Sequence, residues 1–248
     1  MTHQITRHRH EIKRRRLTVK EKSHVTPGMI RILLEGDDMA DFVSLGPDDH
    51  VKLFVQGEDG ASVMRDYTPR RFDTGAGTLT LDFAVHDAGP ATRWAMAAAA
   101  GDGLEIGGPR GSVTVSPTFD WWLLVGDETA LPAIGRRLEE LPGGTRVITV
   151  AAVAGPEEEQ RFSTGTDHHA IWVHRPLGEA ANPDPVLAAL DGIDWPRGDG
   201  FVWIASEAQV ARAVRDYVTG TRNHPKNWLK AAGYWKQGVA DAHDKLED

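Results

Sequence analysis

Arg65-Asp66-Tyr67-Thr68 is the stretch on which the reading of this chain turns. It lies between His50-Val-Lys-Leu-Phe-Val55 and Thr78-Leu-Thr-Leu-Asp-Phe-Ala-Val85, two runs whose alternating pattern marks strands. In an extended segment side chains point to opposite faces in turn, which puts Arg65 and Tyr67 on one side. Tyr67 then offers an aromatic face and Arg65 a planar fork suited to phosphate. Thr68 adds a hydroxyl that donates or accepts near a ring nitrogen. These groups suit a flat, polar, anionic cofactor. Taken alone, the same four residues also describe an ordinary strand edge, and the rest of the chain has to separate the two readings.

Upstream, Leu17-Thr-Val-Lys20 and Met29-Ile-Arg-Ile-Leu-Leu-Glu35 read as strands around a Thr26-Pro27-Gly28 turn. Downstream, Gly103-Leu-Glu-Ile106 leads into Gly107-Gly-Pro-Arg-Gly-Ser112. Short strands punctuated by Gly and Pro, with little helix among them, predict a small antiparallel barrel. The exception is Gly89-Pro-Ala-Thr-Arg-Trp-Ala-Met-Ala97, which reads as a helix with Pro90 in its first turn. Its free N–H groups make a seat for a pyrophosphate, and the same helix would serve equally to cap a barrel with Trp94 in the core.

After Ser116-Pro117 the pattern changes. Trp121-Trp-Leu-Leu-Val125, Arg146-Val-Ile-Thr-Val-Ala-Ala-Val153, Ala170-Ile-Trp-Val173 and Phe201-Val-Trp-Ile-Ala205 are apolar throughout. Helices are expected through Leu141 and over 207–218. Buried strands alternating with helices imply a parallel sheet, which binds ligands at the carboxyl ends of its strands. The first strand–loop–helix lacks G-x-G-x-x-G, yet Gly126, Thr129 and Pro132 stand where a nicotinamide nucleotide would place its phosphates. The fold expected is a two-domain β plus α/β chain. It has a basic N-terminal tail (1–16), an antiparallel barrel (17–117) and a parallel-sheet nucleotide-binding domain (118–248) that ends in a C-terminal helix.

Composition narrows the chemistry. The 248 residues contain no cysteine, so disulfides and Cys-ligated clusters are excluded and redox work needs an organic cofactor. The net charge of −8 gives nucleic-acid binding no support. No apolar run has the length to cross a membrane, and residues 1–16 lack the apolar core of a secretory signal. A cytoplasmic setting is expected. Eleven histidines raise the question of a metal, but none has a helical ligand spacing, and no metal site is assigned.

Arg65-Asp-Tyr-Thr-Pro-Arg70 resembles the flavin-binding R-x-Y-T motif of the ferredoxin-reductase-like superfamily. More narrowly, five segments resemble the siderophore-interacting proteins. They are Asp49-His-Val-Lys-Leu53, residues 65–72, Leu81-Asp-Phe-Ala-Val-His86 with Gly89-Pro-Ala-Thr-Arg-Trp94, Gly108-Pro-Arg-Gly-Ser112, and Gly126-Asp-Glu-Thr-Ala-Leu-Pro-Ala-Ile134. Gly233-Tyr-Trp-Lys236 is similar to that family's ending. The resemblance implies a flavin barrel, a nucleotide-binding domain and electron delivery to Fe(III)-siderophore. It implies that Arg65, Tyr67, Thr68, Asp82, Phe83 and His86 line FAD, and that Ala91 and Thr92 sit over its pyrophosphate. Thr68 is the choice for tuning flavin N5.

NAD(P)H is the implied donor, held by Gly126, Thr129 and Glu207, with a reduced ferredoxin as the alternative donor. Arg175 and Arg161 are both open as 2′-phosphate contacts. Lys52, Lys236 and Arg110 are candidates to dock an anionic chelate. Ser206 stands where the family pattern has glycine, which adds a side chain where backbone would approach the nicotinamide. Trp235 is open between shielding the flavin and packing. A monomer is expected. Two other functions fit the same fold: a general NAD(P)H:flavin or quinone-type reductase, and a non-catalytic siderophore- or flavin-binding protein.

Overall fold

The structure, a computed structural model, describes residues 3–57, 60–85, 89–239 and 244–245. The chain divides into two compact units, one through Ser116 and one from Pro117. In the first unit the strands are β1 (Ile5–Arg9), β2 (Arg14–Thr26), β3 (Met29–Glu35), β4 (Val51–Gln56), β5 (Ser62–Tyr67), β6 (Arg71–Asp73) and β7 (Thr78–Ala84). Helix α1 (Pro90–Ala97) then precedes β8 (Gly103–Gly107) and β9 (Gly111–Val115).

Seven of these strands form one antiparallel sheet in the order β5-β4-β8-β2-β3-β7-β6. Alternation decides which residues fill it. Leu17 and Val19 of β2, Ile30, Ile32 and Leu34 of β3, Val51, Leu53 and Val55 of β4, and Leu79, Leu81 and Phe83 of β7 are buried in a single core with Ala91 and Ala95 of α1. One face of every long strand drains into that core, as in a barrel wall.

Within the expected tail, residues 5–9 and 14–16 are strand. Strand β1 pairs antiparallel with β9, Ile5 opposite Val115 and Arg9 opposite Gly111, and β2 already begins at Arg14. Backbone pairing needs no apolar side chains, so a ribbon with polar residues on both faces is invisible to hydrophobic periodicity.

The second unit contains β10 (Trp121–Asp127), α2 (Leu131–Glu140), β11 (Arg146–Val153), β12 (Asp167–His174), α3 (Asp184–Asp191), β13 (Gly200–Glu207), α4 (Ala208–Asp216), β14 (Leu229–Trp235) and β15 (Asp244–Lys245). The sheet order is β12-β11-β10-β13-β14-β15, parallel except for the last pair. All residues of β10 and β13 are buried, as strands covered on both faces require.

The expected C-terminal helix is a correction: Leu229–Trp235 is strand β14, laid parallel on β13 with Val202 opposite Leu229. Without it β13 would be an edge strand with unpaired backbone groups. The expected helix over 207–218 is α4 followed by a π-helical turn, Tyr217–Thr221.

Candidate functional site

In the first unit the R-x-Y-T strand and the Gly-Pro helix meet. Register places Tyr67 opposite Val51, so its ring turns toward the core. There it packs on Phe83, ring centroids 4.4 Å apart, and Phe83 packs on Trp94 of α1 at 5.8 Å. Thr92 of α1 lies beside the Tyr67 hydroxyl, within its electrostatic reach. Burial pushes the phenol up to about 12, while Thr92 and the nearby Arg65 charge act the other way. Helix α1 starts on Gly89 with no side-chain cap and no acidic residue in its first turn. Its positive end is therefore left to the backbone N–H groups around the buried Ala91 and Thr92.

Thr68 is buried. Arg65 donates to the Met64 carbonyl at 2.8 Å. His86 lies outside the described residues.

Asp82 does not join this set. Phe83 faces the core, so its neighbour Asp82 faces the opposite side of β7. There the Arg31 fork grips both carboxylate oxygens at 2.7 Å, and Arg70 Nε lies 4.0 Å away. Lys52 is likewise on the other face from Tyr67, because it pairs with Asp66 rather than with Tyr67. Its Nζ donates to Asp66 Oδ1 at 2.7 Å, and His50 lies 3.9 Å from the same carboxylate. Arg110 is exposed in the first unit and Lys236 is exposed in the second.

Two segments that carried the resemblance are joined by a network that sequence reasoning missed. Asp49 Oδ2 accepts from Ser44 Oγ (2.8 Å), Gly46 N (3.1 Å) and Ser112 Oγ (2.6 Å). Ser112 has one hydrogen and gives it to the carboxylate. His10 Nε2, 2.7 Å from Ser112 Oγ, is therefore the donor in that contact. The signal was the pairing of a lone Asp with a distant Ser, which no local pattern reports.

In the second unit the carboxyl ends of β10, β13 and β14 are tied by Asp127. Its Oδ1 accepts from Thr129 N (3.0 Å) and Thr129 Oγ1 (2.6 Å). Its Oδ2 accepts from Glu207 N and Trp235 Nε1, both at 2.8 Å. The Glu207 carboxylate caps α4 by accepting from Gln209 N and Val210 N, and its other oxygen takes Gln237 N. Glu207, expected to hold a nucleotide, thus holds its own helix.

Gly126 has a packing reason: a Cβ there would stand 2.5 Å from Ala130 Cβ and 3.0 Å from the Ala205 carbonyl. Ser206 is buried and donates to the Glu207 carbonyl at 3.2 Å. Arg175 is buried and bound through both terminal nitrogens to Glu128, at 2.7 and 2.6 Å. Burial pushes the Glu128 carboxyl up and the Arg175 fork opposes it. Arg161 is exposed. A small cavity at this end is lined by Gly126, Asp127, Arg175, Asn182 and Ser206, among others.

Comparison with known proteins covers both units. Residues 119–238 match the family profile described as "Siderophore-interacting protein", and residues 18–62 and 56–113 match "Siderophore-interacting FAD-binding domain". The "NADPH-dependent ferric-chelate reductase" of Escherichia coli (strain K12) is 32% identical over 248 residues, covering 92% of this chain and 94% of that protein. The "Ferric vibriobactin reductase ViuB" of Vibrio cholerae is 27% identical over 246 residues, covering 90% of each.

Among solved structures, a siderophore utilization protein from T. fusca superposes with a TM-score of 0.89 at 36% identity, covering 98% of this chain and 100% of that one. The siderophore-interacting protein SipS from Aeromonas hydrophila gives 0.79 at 28% identity, covering 92% and 93%. The FAD/NAD binding domain of a Vibrio cholerae nitric oxide dioxygenase, 14% identical with a TM-score of 0.66 over 87% of this chain and 96% of that one, shares the ferredoxin-reductase-like fold alone. This chain belongs to the siderophore-interacting protein family.

Proposed function

We propose that this chain is an FAD-dependent reductase of ferric siderophores, fed by NADPH or NADH and acting as a cytoplasmic monomer. The observation that carries the reading is the junction of Tyr67 with Thr92. It brings the R-x-Y-T strand and an uncapped helix start together within a unit that matches the FAD-binding profile.

The residues present fit FAD. Tyr67 and Phe83 supply aromatic surface, the N–H groups at the start of α1 suit a pyrophosphate, and Arg65 adds charge close to Tyr67. Thr68 brings a hydroxyl of the kind that can meet a ring nitrogen. When bound, FAD supplies the exchange between a two-electron hydride donor and a one-electron metal acceptor. The protein's part is placement and charge. No acid–base residue is needed, because no covalent bond to the chelate changes. Iron is substrate here. Fe(II) binds hard oxygen ligands less tightly than Fe(III), so reduction releases it.

For the donor, α2 begins without a side-chain cap or an acidic residue in its first turn, and Thr129 fixes the loop that leads into it. That helix start is the seat for the nucleotide phosphates. Lys52, Arg110 and Lys236 are the cations assigned to an anionic chelate. Lys52 works against a built-in competitor, since Asp66 already holds it.

The test is anaerobic. FAD-loaded protein is mixed with NADPH or NADH while the flavin absorbance near roughly 450 nm is followed. Bleaching, then recovery on adding a ferric siderophore, is the expected result. Bound flavin that neither nucleotide bleaches would refute direct pyridine-nucleotide use. Bleaching that a ferric siderophore does not reverse would refute the assigned substrate.

A further inference from the structure

At the carboxyl ends of the parallel strands, where such sheets bind ligands, the polar groups are engaged internally. Asp127 takes four donors from Thr129, Glu207 and Trp235, and Glu207 caps α4 and holds Gln237 N. What the end of β14 presents instead is the half-buried indole of Trp235. Its direction is set by a bulge. Ser206 pairs with Gly233 and Glu207 with Trp235, so Tyr234 is one residue in excess on β14. Bulges re-aim side chains. Here Tyr234 turns to pack edge-on against Trp203, ring centroids 6.2 Å apart, and Trp235 turns to reach Asp127. The backbone just beyond is held as well, by Gln237 N on Glu207 Oε1. The ring is thus fixed at its own N–H and at the chain that follows it.

We propose that Trp235 is an aromatic platform for the nicotinamide ring and that Asp127 is the positioning residue that aims it. The proposal rests on the nucleotide reading given above. A tethered, partly exposed indole has little freedom to lose when a planar heteroaromatic stacks on it. Asp127 need not touch the nucleotide, because both of its oxygens serve the scaffold.

The experiment uses FAD-loaded protein reduced beforehand with dithionite, so that NADPH binds without reacting. Tryptophan emission overlaps reduced-nicotinamide absorption, and an indole in contact with the bound ring passes its excitation to it. Wild type, Trp235→Phe, Trp235→Ala and Asp127→Asn are titrated with NADPH. Trp235→Ala is expected to weaken binding by roughly 3- to 10-fold, the range of an aromatic stack, with Trp235→Phe restoring most of it. Trp235→Phe also removes the largest share of the energy transfer. Asp127→Asn weakens binding while its indole remains, and adding Trp235→Ala to it brings little further loss.

Wild-type affinity in Trp235→Ala, or undiminished transfer in Trp235→Phe, overturns the platform. If wild type itself fails to bind NADPH, the nucleotide reading falls and takes the platform with it. Binding that is indifferent to all three variants sinks the platform alone. A folding defect in Trp235→Ala does not blunt the test, because the transfer measured in Trp235→Phe needs no affinity change.

Discussion

Gly126→Ala asks what the glycine at the end of β10 is for. A methyl group there would lie 2.5 Å from Ala130 Cβ, 3.0 Å from the Ala205 carbonyl oxygen and 3.1 Å from Ile134 Cδ1. Carbon atoms pack best at about 3.5–4.0 Å, so the first contact overlaps by roughly 1 Å. Ile134 can change rotamer, but Ala130 has none to change and stands at the N-cap of α2. The helix start must move. Overpacking of this kind costs about 1–3 kcal/mol. In a unit of this size that lowers the melting midpoint by roughly 4–12 °C.

The assay is calorimetric melting of Gly126→Ala beside Gly126→Ala/Ala130→Gly. The second variant removes the nearer methyl and should recover most of the loss. FAD loading should be unchanged, since the assigned flavin residues belong to the other unit. If Gly126→Ala melts as wild type does yet loses nucleotide binding, the packing argument is wrong and the glycine exists to let a ligand approach.

Other consequences are independent of that one. Asp82→Ala removes the carboxylate that grips Arg31 and lies 4.0 Å from the buried Arg70, so it should destabilise by about 1–3 kcal/mol in a denaturant titration. Because Asp82 faces away from Tyr67, the same variant should load FAD normally, and loss of flavin at full stability would contradict that geometry. Tyr67 keeps its proton to about 12 against an ordinary 10.0. A raised pKa favours the protonated phenol in the folded state, so its contribution is complete below pH 10 and is lost as pH rises toward 12. Burial raises Tyr217 as well, so phenolate absorbance above pH 10 should show one late-ionising tyrosine fewer in Tyr67→Phe than in wild type. Lys52→Glu places a second carboxylate beside Asp66, and kcat/KM for an anionic ferric chelate should fall with a weaker salt dependence. Flavin bleaching by NADPH should not change in that variant, and an equal loss in both steps would remove Lys52 from the docking role.

How far the sequence could be read depended on which physical signal each element carries. Strands β3, β4 and β7 bury one face and show it as alternation, while β10, β11 and β13 bury both and show it as continuous apolar runs. Strand β14, Leu-Lys-Ala-Ala-Gly-Tyr-Trp, has neither signature and owes its conformation to the open side of β13. That Tyr67 and Thr92 stand side by side could be anticipated, because a motif and a helix start were each assigned to the same cofactor. Asp82 and Phe83 were named together, although period-2 alternation sets them on opposite faces of β7. Lys52 is a different case: its face relative to Tyr67 depends on the register of β4 and β5, which a single sequence does not display. Asp127 could not be seen as a hub, since two of its donors stand 80 and 108 residues away.

The pairing of β1 with β9 has a consequence for synthesis. Strand β1 meets its partner only when residues 111–115 have emerged, after every other strand of the first unit. Until then β1 waits as an unpaired strand, the condition that invites edge-to-edge association in a nascent chain. Arg7 and Arg9 suit that wait, since cations on an open strand discourage another strand from docking. Once β9 arrives, His8 settles on Thr114 and His10 on Ser112, so two side chains of the waiting segment become its fasteners.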